Sequence, residues 1–104
     1  MNILYISPEI SPFAKTGGLA DVAQALPKAI KSLGHDIRAV MPKYLSVADQ
    51  GFTMERVTPF TVQMHNGLNG AVLWQAENGS VPTYFIENEA YFNREEFYGL
   101  GDED

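Results

Sequence analysis

Lys15-Thr16-Gly17-Gly18 is the run in this 104-residue chain whose residue types and order best suit chemistry, and the chemistry it suits is the holding of a phosphate. Apolar residues at helical spacing follow it at once, so the run lies at the entry to a helix. Glycines there let an anion come close to the backbone. The first-turn N–H groups have no intrahelical partner and sit at the positive end of the helix dipole. Lys15 adds a mobile point charge that can neutralise a phosphate oxygen. A plainer reading makes Gly17-Gly18 a tight turn, Thr16 a helix cap and Lys15 a solvated side chain; two glycines and a lysine leave both readings open. Asp21 follows in the first helical turn. An acid there stabilises the dipole by about 0.3 to 1 kcal/mol with no further role; as a functional group it would orient a substrate hydroxyl or the lysine. Glu9 is open to the same two readings.

Other polar residues suggest less. His35 and His65 are far apart and lack acidic neighbours, which argues for surface or turn positions and against a metal pair. The serines have no partners that would mark a triad. Trp74 and Tyr84 fit the core or cross-strand pairs of a hairpin, with sugar stacking as the lesser alternative.

The elements that must position the run are legible around it. Ile3, Leu4, Tyr5 and Ile6 form an unbroken apolar stretch, as in a strand covered on both faces. Leu19, Val22, Ala23, Leu26, Ile30 and Leu33 then recur at spacings of three and four, which predicts a helix with one apolar stripe. Gly34 stands where a helix C-terminal glycine belongs, and Lys28 and Lys31 suit the last turns. Pro27 predicts a kink or boundary, since an interior proline costs about 3 kcal/mol. Ile37 to Met41 supplies the next strand and completes a strand, helix, strand unit. The run therefore sits at the C-terminal edge of a parallel sheet, where open α/β folds bind ligands. Beyond Pro42 the pattern changes to alternating residues at Phe60, Val62 and Met64, then Ala71 to Trp74, then Val81 to Ile86, separated by Asn66-Gly67 and Asn78-Gly79. These predict hairpins, with Asn78-Gly79 the better type I′ candidate. The stretch Val81 to Ile86 suits a return to the parallel sheet.

Composition narrows the class. Hydrophobic residues make up 45% and aromatics 12%, as in a chain that packs a core. Thirteen acidic against seven basic side chains give a net charge of −6, which argues against nucleic acid and anionic lipid as partners. Absence of cysteine excludes disulfide scaffolds, Cys zinc sites and Cys nucleophiles. The opening residues carry no signal-like or membrane-spanning run, and a cytoplasmic location is expected. A dinucleotide fingerprint and a P-loop, the marks of rival nucleotide-binding modules, do not occur.

Ser7-Pro8-Glu9-Ile10-Ser11-Pro12-Phe13-Ala14-Lys15-Thr16-Gly17-Gly18-Leu19-Ala20-Asp21-Val22, continuing to Ala25-Leu26-Pro27, resembles the opening of glycogen and starch synthases. Tyr84 to Asn88, with Tyr91-Phe92-Asn93-Arg94 and Tyr98-Gly99, resembles a later strand and loop of that family. The resemblance implies an α/β fold: residues 1–104 as the N-terminal part of a Rossmann-like domain of GT-B type, with a parallel sheet and a hairpin-rich insertion. It implies a retaining glycosyltransferase moving glucose from ADP-glucose to an α-1,4-glucan in glycogen biosynthesis, without a metal or other cofactor. Lys15 would contact the donor's phosphates, Gly17 and Gly18 would offer backbone amides, Asp21 would line the pocket, and Tyr98 would match a tyrosine near the cleft. The family's other catalytic groups, a later histidine and a C-terminal domain bearing an arginine, a lysine and a glutamate, fall after residue 104. The chain alone is therefore expected to be inactive, because transition-state charge is stabilised by groups converging from several sides. A partial sheet with open edges and unsheltered aromatics is expected to self-associate non-specifically. A non-catalytic remnant is the alternative.

Overall fold

The computed structural model describes residues 1–44, 47, 51–65 and 67–88. Among them the chain forms β1 (Asn2–Ile6), α1 (Gly18–Ser32), β2 (Asp36–Pro42), β3 (Glu55–Met64), β4 (Gly67–Asn78) and β5 (Val81–Glu87). One mixed sheet holds the strands in the order β1-β2-β5-β4-β3. β1, β2 and β5 run parallel, and β4 and β3 add antiparallel to the side of β5. The hairpins thus extend the parallel sheet itself and form no separate layer. Pro59 is tolerated because β3 is an edge strand.

The strand, helix, strand unit and the return of β5 match the sequence expectation. Three details differ. Helix α1 runs through Pro27 without a boundary; the proline is fully buried, so burial of its ring offsets the lost backbone bond. The predicted apolar stripe packs only in part, through Ala23 and the half-buried Ile30. Ala20, Ala23 and Pro27 are the buried residues of α1, whereas Leu19, Val22, Leu26 and Leu33 are exposed. Small side chains let the helix lie close on the sheet, and its large ones point away. The third difference is the register of the last turn. Asn78 pairs with Val81, so Gly79 and Ser80 are the central residues. Positive φ occurs at Gly79 alone, at 66°, the place glycine takes in a type II′ turn. A Cβ at Gly79 would also lie 2.6 Å from Cε of Lys28. At the other end of α1, Gly34 has φ 97° and its N–H bonds to the Lys31 carbonyl at 2.9 Å, as a helix-terminating glycine should.

The core lies between α1, the β1–α1 loop and one face of the sheet. It gathers Ile10, Phe13, Ala14, Ala23, Ala39, Met41, Tyr44, Val47, Ala76, Val81 and Phe85. Phe13 is its hub, with its ring edge-on to Phe85 at 4.8 Å and to Phe52 at 4.9 Å. Trp74 packs at the margin of this cluster opposite Phe85. Its indole N–H donates to Glu87 Oε1 at 2.8 Å, and Lys43 lies 4.9 Å above its ring, so it has the cross-strand role expected of it. Tyr84 accepts a hydrogen bond from Arg38 at 2.9 Å.

Candidate functional site

The β1–α1 loop divides at Ala14 into an anchored half and an open half. Anchoring begins where β1 ends, with the Ser7 N–H bonded to the Val40 carbonyl at 3.1 Å and the Ser7 hydroxyl donating to the Glu9 carbonyl at 2.8 Å. The N–H groups of Phe13 and Ala14 both reach the Ile10 carbonyl, at 2.9 and 3.0 Å. Ser11 is held on both sides. Its N–H bonds to the Ala20 carbonyl in α1 at 3.1 Å, and its carbonyl accepts from the Asn78 amide at 3.0 Å. Asn78 in turn accepts from Gln24 at 3.4 Å, so a buried asparagine at the end of β4 joins loop, helix and sheet.

Glu9 links the two halves. Its side chain is 1% exposed, and its carboxylate accepts the Thr16 hydroxyl at 2.6 Å and the Thr16 N–H at 3.2 Å. A buried carboxylate persists only where donors compensate its lost hydration. Thr16 therefore does not cap α1. Gly17 is the N-cap, and no side chain caps the first turn. The backbone at Lys15 to Gly17 is fixed from within by an acid whose ambiguity in the sequence the structure resolves.

The open half consists of Lys15, Thr16, Gly17 and Gly18, all exposed. Gly17 has φ −174°, an extended conformation open to any residue, and Gly18 has no positive φ. Among the described residues, a Cβ added at either position meets no atom within 4 Å other than its own chain neighbours and the first turn of its helix. Among the described residues neither glycine is thus required by a turn or by packing, and the tight-turn reading fails. Lys15 Nζ lies 2.9 Å from Asp21 Oδ1, with both side chains about half exposed, at 51% and 54%. An exposed pair of this kind is worth roughly 0 to 1 kcal/mol, so Lys15 can exchange Asp21 for another anion at little cost. The structure therefore brings together Lys15, Gly17, Gly18 and Asp21, four of the five residues singled out in the sequence, at the C-terminal edge of β1. Tyr98 lies outside the described residues. Sequence reasoning gave Glu9 no definite role and took Asn78 for a turn residue. No local signal marked the former, because its bonds to Thr16 arise only once the loop folds back on itself.

The starch synthase catalytic domain, as a family description, matches residues 2–104. This chain belongs to that family. The glycogen synthase of Syntrophotalea carbinolica is 45% identical over all of this chain and 22% of its own length. That of Caldicellulosiruptor saccharolyticus is 47% identical over 99% of this chain and 22% of its own length. Among solved structures, the catalytic domain of starch synthase IV from Arabidopsis thaliana, bound to ADP and acarbose, superposes with a TM-score of 0.83 at 30% identity. That match covers 96% of this chain and 21% of the plant chain. The chain thus spans about a fifth of the length of the relatives it matches, and its α/β fold is that of the corresponding part of a GT-B glycosyltransferase. Among the described residues no group of acidic and histidine side chains suits a metal, and no helix is long and apolar enough to cross a membrane.

Proposed function

We propose that the open half of the β1–α1 loop forms one wall of a nucleotide-sugar donor site, and that the site serves transfer of glucose from ADP-glucose to an α-1,4-glucan, with retention, in cytoplasmic glycogen synthesis. In this reading residues 1–104 are part of the N-terminal Rossmann-like catalytic domain. The observation that carries the reading is the pair Gly17-Gly18, whose lack of side chains answers no demand of the backbone or of the described residues around it. Space left bare beside uncapped helix N–H groups is what a close-approaching diphosphate needs. Lys15 would leave Asp21 to neutralise a phosphate oxygen, and Asp21 would then be free to accept a hydrogen bond from a sugar hydroxyl. Tyr98 would line the same cleft. ADP in the plant neighbour and the glycogen synthases among the relatives support the nucleotide and the polymer. The chemistry needs charges converging on the leaving diphosphate from several sides, so one wall should bind donor without turning it over.

The test is a chimera in which this chain replaces the aligned first part of the Syntrophotalea carbinolica enzyme, assayed for glucose transfer from ADP-glucose. Lys15→Ala should lower kcat/KM about 10- to 100-fold, as expected for loss of one charge-assisted hydrogen bond to phosphate. Unchanged kinetics would reject the assignment.

A further inference from the structure

Among the described residues Glu9 is the single buried carboxylate, and the donor-site reading gives it no part. Each of its oxygens accepts from one and the same residue, Oε2 from the Thr16 hydroxyl at 2.6 Å and Oε1 from the Thr16 N–H at 3.2 Å. Glu9 cannot follow Thr16 if Thr16 moves. Ser7 donates to its carbonyl at 2.8 Å, and the carbonyl of the next residue, Ile10, accepts from Phe13 and Ala14 at 2.9 and 3.0 Å. The carboxylate is a fixed post to which Thr16 is tied.

A threonine where a loop enters a helix is a preferred N-cap, its hydroxyl accepting the N–H of the second or third helical residue. With Thr16 as cap those donors would be Gly18 and Leu19, and Gly17 would become the first helical residue. Gly17 is extended instead, at φ −174° and ψ −154°. Nothing local prevents the change, because glycine enters helical angles freely and, among the described residues, no packing neighbour lies within 4 Å of the place its Cβ would take. A capped α1, one residue longer, is therefore within reach of this sequence. The structure holds the other form, with the hydroxyl on Glu9 and no side-chain cap on the first turn. The two forms differ in what they offer a diphosphate, since a Thr16 cap would occupy N–H groups that an anion needs.

We propose that Glu9 is a positioning residue of the donor site: its carboxylate withholds the Thr16 hydroxyl from the N-terminus of α1 and so keeps the Gly18 and Leu19 N–H groups open to the diphosphate. The inference rests on the donor-site reading for its ligand, whereas the capping can be observed without one. Competition from a capped form acts before chemistry, raising the apparent dissociation constant by the inverse of the open fraction and leaving later steps untouched. Loss of Glu9 should thus raise KM and spare kcat. A carboxylate that only shaped the loop would displace Lys15 too, and kcat would fall.

Glu9→Leu, close in size and without acceptors, releases Thr16. In the 104-residue chain without ligand, hydrogen exchange at the Gly18 and Leu19 amides should slow about three- to fivefold as the cap forms. The slowing should vanish in Glu9→Leu/Thr16→Val, because valine cannot cap. In the chimera, Glu9→Leu should raise the KM for ADP-glucose about three- to fivefold at unchanged kcat, and the double variant should lose most of that rise. Glu9→Gln can still accept the Thr16 N–H and donate to its hydroxyl oxygen, so both readouts should stay near their starting values; it carries the test if Glu9→Leu does not fold. Unchanged exchange in Glu9→Leu, a KM that does not rise, a kcat that falls with or without Thr16→Val, or a Glu9→Gln chimera with the raised KM overturns the proposal. A Lys15→Ala chimera with unchanged kinetics rejects the donor site itself, whereas unchanged exchange beside an impaired Lys15→Ala chimera rejects the role of Glu9 alone.

Discussion

Gly79 and the pair Gly17-Gly18 are glycines of opposite kinds. Gly79 has φ 66°, so the backbone of the hairpin between β4 and β5 demands it, whereas the flexible end of Lys28 beside it could move aside for a Cβ. Gly17 and Gly18 have neither positive φ nor, among the described residues, a packing neighbour within 4 Å of an added Cβ. The same division runs through the β1–α1 loop, whose first half is fastened by Phe13, Glu9, Ser7 and Asn78 and whose second half is bare. A residue type that the fold does not demand, sitting on a backbone that the fold holds firmly, is where a ligand's demand shows.

Substitutions on the two sides of that division should differ in what they damage. The largest stability loss is expected from Phe13→Ala, at about 3 to 5 kcal/mol by urea unfolding, because it empties the contact with Phe52 and Phe85. A loss below about 1 kcal/mol would mean that the loop is not part of the core. Next comes Asn78→Ala, which leaves the Ser11 carbonyl without its amide donor and should cost about 1 to 3 kcal/mol. Its amide exchange should quicken from Ser11 to Thr16 more than in β3, an asymmetry absent if Asn78 serves only the turn. Gly79→Ala should cost about 1 to 2 kcal/mol from the left-handed backbone alone. Gly18→Ala should be neutral or stabilising by up to about 1 kcal/mol, since alanine is the better first-turn residue. Equal penalties at Gly18 and Gly79 would erase the comparison.

Much of this could be read from the chain before any coordinates. β1, α1, β2 and the return of β5 follow from apolar runs and periodicity, and Gly34 marks the helix end by the conformation it alone adopts cheaply. Lys15 to Asp21 emerged as a candidate from residue types at a strand-to-helix junction. What periodicity could not decide was which side of α1 meets the sheet, because the buried strip of small residues, Ala20, Ala23 and Pro27, overlaps the predicted stripe at Ala23 and lies beside Leu19, Val22 and Leu26. Hydrophobicity favours the large residues, yet close approach of helix to sheet favours the small ones. Asn78 misled for a related reason: asparagine before glycine suits a turn, but its amide is long enough to cross from β4 to Ser11. The Glu9 to Thr16 bonds depend on the loop folding back on itself, which local spacing does not encode.

The most direct test of the donor-site account is an NMR titration of ADP-glucose into the 104-residue protein, unchanged and as Gly17→Ala and Gly18→Ala. The account predicts dispersed amide spectra for all three. It further predicts ligand shifts confined to Lys15 through Asp21 in the unchanged chain, and their loss in both variants at undiminished stability. Shifts that survive both alanines, or a well-dispersed unchanged chain that ignores the donor, would contradict it.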